Sequence, residues 1–136
     1  MTDFADLVAH LDRTATVAIV TTRPSGERVA TPIWAVVADG IPYVRSAYGE
    51  KPAWHRRARS GRPVAFSLAD GARAERDAAA AVRDPQLEVR VQHLPPDDPQ
   101  QDAVDAAFLA KYGSTPYAGT MTTPTARALT LRFDPV

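Results

Sequence analysis

Asp39-Gly40 stands between two β-rich runs, 29–38 (VATPIWAVVA) and 41–47 (IPYVRSA). An Asp-Gly pair fills the two central positions of a tight hairpin turn, because both must take positive φ and the resulting twist matches that of paired strands. The pair therefore commits the chain to an antiparallel hairpin. TVAIVTT at 16–22, closed by Pro24, Ser25 and Gly26, adds a strand in meander order. GRPVAFSLADG at 61–71 reads as a fourth strand between glycines, and LEVRVQH at 87–93 alternates like a strand with one wet face. ARALTLRF at 126–133 is the last, giving six strands. Pro32 cannot donate to a ladder, so its place is an edge or a bulge.

The helices are short. Phe4, Leu7, Val8 and Leu11 fall at i, i+3, i+4 and i+7, which predicts a helix over 3–12 with Thr2 or Asp3 near its cap. Residues 50–60 read as helical, and 72–85 stay open between an alanine-favoured helix and a further strand. A helix capped by Asp98, with Pro99 at its first position, runs through Val104, Ala107, Phe108 and Tyr112 to Gly113 at C′. Such a mainly β, antiparallel pattern with helices of two or three turns predicts a small barrel or curled sheet with helices at its mouth. At 136 residues it forms one domain, 1–136.

Composition narrows the function by exclusion. Sixteen Lys and Arg balance sixteen Asp and Glu, so the overall field gives no reason to expect a nucleic-acid partner. The absence of cysteine removes thiolate nucleophiles, thiolate metal sites and disulfides. No apolar run approaches the ~20 residues of a membrane span, and the acidic N-terminus does not read as a signal peptide, so a cytoplasmic protein is the expectation. His10, His55 and His93 lack metal-ligand spacing, so no metal site is expected. No nucleophile elbow, P-loop or dinucleotide fingerprint is present.

The charge is unevenly spread: Arg45, Lys51, Arg56, Arg57, Arg59 and Arg62 meet a single acid, Glu50, in eighteen residues. On a helix from Pro52, residues 55, 56, 59 and 62 would share one broad face and could converge on an anion. Gly49 would let backbone amides approach that anion, and Trp54 would offer a ring to stack on. The alternative is a solvated basic helix with Trp54 in the core. His55 could give a proton beside a reduced ring, or be a polar helix residue only. Tyr112 and Tyr117 flank a Gly-Ser-Thr-Pro loop, where a phenol could polarise a carbonyl or nitro group, or close the core with its hydroxyl at the surface.

Residues 21–68 resemble the split β-barrel flavin-binding superfamily, the pyridoxamine-phosphate-oxidase-like group, and within it the deazaflavin-dependent nitroreductases and small uncharacterised bacterial members. The resemblance rests on Thr21, Thr22, Arg23, Ser25 and Gly26, on Arg28, Thr31, Pro32 and Ile33, on Ser46, Gly49, Lys51, Pro52 and Trp54, and on the closing TARALTLRFDP. It implies a split β-barrel of the FMN-binding type, an obligate homodimer, and an oxidoreductase passing hydride to a small-molecule substrate. The cofactor would be a reduced deazaflavin coenzyme of the F-420 type, or FMN. Its ring would lie near a Thr31-Pro32-Ile33-Trp34 bulge, with Arg28, Arg45, Ser46, Gly49, Lys51, Pro52, Trp54, Arg56 and Arg57 as binding residues and His55 and Tyr117 as catalytic ones. Within the same group lie two rival expectations: a non-catalytic barrel carrying flavin, heme or another anionic ligand, and a cofactor-free scaffold.

Overall fold

A computed structural model describes residues 3–136. Strand β1 (Val17–Thr22) is buried at every position, as a strand covered on both faces must be. Beside it runs β2 (Arg28–Ile33), and the expected 29–38 strand is cut after Ile33, resuming as β3 (Val36–Ala38). Then come β4 (Ile41–Val44), β5 (Val64–Ser67), β6 (Gln86–His93) and β7 (Leu131–Pro135). Asp39 and Gly40 both take positive φ, 51° and 74°, as the β3–β4 hairpin requires. The order is β2-β1-β5-β6-β7-β4-β3, antiparallel throughout the paired register. The two border strands, β2 and β3, are consecutive in the chain and separated only by Trp34 and Ala35. A sheet whose borders meet in one short kink has to curl. The result is a seven-stranded antiparallel half-barrel.

Three apolar clusters hold it together. The barrel interior is filled by Val17, Ile19, Val44, Val64, Phe66, Val89, Leu131 and Phe133, with Leu7 and Leu11 of α1 (Phe4–Arg13) and Ala58 of α2 (Ala53–Ala58) packed in. Outside β3 and β4, Val104, Phe108 and Tyr112 of α5 (Gln101–Tyr112) cover Val36, Ala38 and Tyr43. Outside β1 and β2, small residues of α3 (Ala72–Arg76) and α4 (Ala78–Ala81) cover Ala18, Val20 and Ala30.

Several boundaries move from the sequence expectation. Residues 72–85 resolve as two short helices, the second capped by the Asp77 carboxylate. The Asp3 carboxylate caps α1 in a reciprocal box with Asp6, while Thr2 lies outside the described residues. α5 begins at Gln101, not Pro99, because Asp98 caps the Gln100 amide in the preceding turn. Gly113 has φ −61°, so it does not make a left-handed stop. The expected strand 126–133 begins only at Leu131, since Thr123 caps a further helix, α6 (Pro124–Ala128), with proline in its first turn.

Candidate functional site

The kink between β2 and β3 is made by residues far along the chain. The Tyr112 hydroxyl lies 2.6 Å from the Ala15 carbonyl and 3.1 Å from that of Ala35. The Lys111 ammonium donates to the Leu11 and Ala35 carbonyls, both at 2.6 Å. Ala35, in neither strand, thus has its carbonyl satisfied by α5. Trp34 is consequently laid flat on the Tyr112 ring, centroids 4.0 Å apart and planes 3° apart. Burial pushes Tyr112 up to about 12 and Lys111 down to about 8, with Asp12 pulling the lysine part of the way back.

That shift has a pH consequence. The unfolded chain keeps the lysine proton up to the ordinary 10.5 while the folded protein releases it near 8, so this group makes stability rise with pH across that interval. Tyr112 opposes it only above 10, where its unfolded hydroxyl ionises first. Urea unfolding at about pH 7.5 and about pH 9.5 should show the rise in the parent and its loss in Lys111→Met. Equal slopes in the two proteins would refute the assignment.

Trp34 walls a slot of about 280 Å³ between the kink, the loop leaving β4, the start of α2 and a 3-10 turn (Ala118–Met121). The slot brings together Pro32, Ile33, Trp34, Arg45, Ser46, Trp54 and Tyr117 of the sequence-predicted residues, and adds Ala47, Tyr48, Thr120 and Met121. Tyr48 and Tyr117 are mostly exposed at 83% and 63%, so two aromatic rings stand uncovered at its mouth. Thr31 lies just before this run, in register with Ile19 of β1. The expected bulge at 31–34 is absent: Thr31, Pro32 and Ile33 stay paired, and the break follows them. Pro32 is tolerated because β2 is a border strand.

Arg45 does not offer its charge to the slot. Its guanidinium is buried and donates to Thr130 Oγ1 (2.9 Å), Gln101 Oε1 (2.6 Å), the Met121 carbonyl (2.8 Å) and the Asp105 carboxylate. Arg127 reaches the other oxygen of Asp105 at 3.1 Å. Burial lowers the Arg45 pKa and Asp105 counters it, the balance expected of a charge held by protein partners. This buried hub ties the end of β4 to α5, the 3-10 turn and the start of β7.

His55 is also removed from the chemistry that its sequence position suggested. It has no solvent exposure; its Nε2 lies 2.9 Å from the Leu129 carbonyl and so carries the hydrogen, leaving Nδ1 buried without a partner. Burial holds its pKa below 6.5, so the ring is a neutral core group and gives no proton to the slot. Arg28 begins β2, at the end of the strand away from the slot, bonded to Gln86 at 3.0 Å and 3.8 Å from Glu88.

The cations expected to converge on one helical face separate, because α2 ends at Ala58. Arg59 turns back to the His55 carbonyl, and Arg62 reaches the Thr22 carbonyl at 2.8 Å. Arg57 is anchored by Nε on Thr21 Oγ1 at 2.8 Å, and its pKa is lowered by burial and then by Arg23, Arg56 and Arg62 around it. Its terminal nitrogens, with the side chains of Lys51 and Arg56, have no hydrogen-bond partner among the described residues. Lys51 and Arg56 are exposed. Ser46 donates to the Gly49 carbonyl at 2.6 Å, closing a turn in which Gly49 takes φ 77°. That glycine serves the turn; α2, six residues long and preceded by Pro52, has too little helix for an anion cradle.

Sequence reasoning missed Gln101, Asp105, Thr130 and Lys111. The signal for two of them was available: Gln101 and Lys111 sit three residues from Val104 and Phe108 on the apolar stripe of α5, where a polar side chain must find buried partners.

The curled seven-strand sheet with short helices is a split β-barrel. The chain belongs to the family described as an uncharacterized protein conserved in bacteria (DUF2255), which it matches over residues 7–133. None of the curated proteins compared with it matches. Among solved structures it is similar to HutZ, the heme storage protein of Vibrio cholerae, at TM-score 0.66 and 13% identity, covering 100% of this chain and 92% of that one. It is similar to the conserved hypothetical protein Rv2991 of Mycobacterium tuberculosis at TM-score 0.60 and 17% identity, covering 100% and 81%. An F420 reductase follows at TM-score 0.52 and 18% identity, covering 98% and 92%. At identities this low the structural likeness shows the fold alone. Among the described residues no helix is long and apolar enough to cross a membrane, and no three His, Asp or Glu side chains converge as a metal site.

Proposed function

We propose that the slot holds the flat ring of a flavin-type cofactor, a reduced deazaflavin or FMN, and that the protein is an oxidoreductase acting on a small organic acceptor. The observation that carries this is the aromatic lining: Trp34 and Trp54 wall the slot, Tyr48 and Tyr117 stand at its mouth, and Arg57 lies three residues from Trp54 on α2 with free guanidinium nitrogens. Rings stack on such walls, and cations one helical turn away suit an anionic tail. When bound, the cofactor supplies the hydride. The chain fixes the ring through Trp34, itself held by Tyr112, and grips the tail with Lys51, Arg56 and Arg57. Tyr117, exposed at the slot, replaces His55 as the group that hands a proton to the acceptor.

The chain has two tryptophans, and both line the slot, so their fluorescence reports on it directly. Titration with either cofactor should quench that emission, with half-saturation at or below about 100 μM, as for a binding free energy of at least about 5.5 kcal/mol. Absence of quenching by both overturns the reading. The likeness to a heme storage protein supports a carrier as the second reading, favoured if hemin alone quenches. The reading includes a homodimer, since β2 leaves a border strand open to pairing with a second copy. A monomeric mass in light scattering at micromolar concentration would sink that part.

A further inference from the structure

A second cleft, of about 500 Å³, opens past the far end of α2, away from the aromatic slot. It exists because two adjacent strands differ in length. β5 begins at Val64, opposite Val89, whereas β6 continues to His93. Residues 90–93 therefore pair with β7 on one side and have no strand on the other. The loop at 59–63 passes by without making a backbone hydrogen bond to them.

The floor of this notch is apolar, built from Ala58, Val64, Val89 and Leu131, all nearly inaccessible to solvent. Its walls are cationic. Arg59 and Arg62 spend their Nε groups on the His55 and Thr22 carbonyls, which fixes both side chains, and among the described residues their terminal nitrogens and the whole Arg90 guanidinium have no partner. The one acidic side chain lining the notch among the described residues, that of Glu88, faces Arg28 at 3.8 Å. A free strand edge, an apolar floor and three guanidinium groups with free terminal nitrogens each select a different property of an occupant: extended amides, small apolar side chains and negative charge.

We infer that the notch binds an extended acidic peptide segment, which pairs with the free edge of β6, lays alternate apolar side chains on the floor and directs its carboxylates to Arg59, Arg62 and Arg90. At strand and sheet spacings the cleft takes about three residues of extended chain, close to the length of the exposed edge. Charge complementarity favours this occupant over a second copy, in which sixteen Lys and Arg balance sixteen Asp and Glu.

The test uses the whole chain and an acetylated, amidated peptide of alternating aspartate and valine, with amide NMR as the readout. Titration should shift the amides of 90–93 and 59–64 and leave those of Trp34 and Trp54 in place. Arg59→Ala/Arg90→Ala, two exposed positions, should bind at least about tenfold more weakly, the loss of one charge-assisted bond or more. The peptide N-methylated at alternate residues should lose binding although its charge and apolar groups remain. The inference is overturned if lysine in place of aspartate changes nothing, if the N-methylated peptide or hexanoate binds as well, or if the notch amides respond only to protein concentration, which would make it an interface between copies. Shifts confined to the slot would also overturn it.

Discussion

Arg45→Met should lower the free energy of unfolding by roughly 3 to 5 kcal/mol, the range for removing one member of a buried charged network and stranding the rest. The guanidinium satisfies Thr130, Gln101, the Met121 carbonyl and Asp105 together, and Asp105 keeps only Arg127 when it is gone. Urea denaturation measures the loss, with Arg56→Ala as an exposed control expected to stay within about 0.5 kcal/mol. The double variant Arg45→Met/Asp105→Leu should recover part of the loss, because it removes the stranded carboxylate too. A loss under about 1 kcal/mol in the single variant would show that Arg45 is not the hub and would return it to the list of ligand-binding cations.

Lys51→Ala/Arg56→Ala should weaken cofactor binding by roughly a hundredfold or more while leaving the fold nearly intact, since a charge-assisted bond is worth about 1.5 to 3 kcal/mol and the two side chains act independently. Both are exposed, and among the described residues neither side chain has a hydrogen-bond partner to lose. Added salt should weaken the parent by the same route and the double variant much less. Tryptophan quenching gives both affinities. Unchanged affinity in the double variant would leave Arg57 as the grip or remove the anionic-tail reading altogether.

How much of this was legible depended on whether the signal was local. Asp39-Gly40 fixed its hairpin because the turn's backbone requirement is met by the two residues themselves. The break at Trp34-Ala35 was not readable: Pro32 marks a border strand, but the carbonyl that makes the kink is held by side chains 76 and 77 residues away. The start of β7 could have been read, since Thr123 followed by Pro124 is a helix-opening pair. The cationic stretch had the right neighbourhood and the wrong geometry. Its residues were assigned one helical face, but the helix ends early, and hydroxyls and carbonyls of β1, α2 and the hub take the Nε groups of Arg45, Arg57, Arg59 and Arg62. Pro32, Ile33, Trp34, Ser46 and Trp54 came together at the slot because strand ends and a helix start gather there, which the order of motifs already implied.

The strand order also sets a timetable. The hairpins β1–β2 and β3–β4 join neighbours in the chain, so each can form soon after it is synthesised. β7, however, lies between β6 and β4, and it is the last of the seven to leave the ribosome. Until Leu131 and Phe133 arrive, β4 and β6 keep open edges and the barrel interior lacks two of its buried side chains. From the emergence of β6 until that of β7 the growing chain thus carries two adhesive strand edges and an incomplete core, and β7 closes both in a single step.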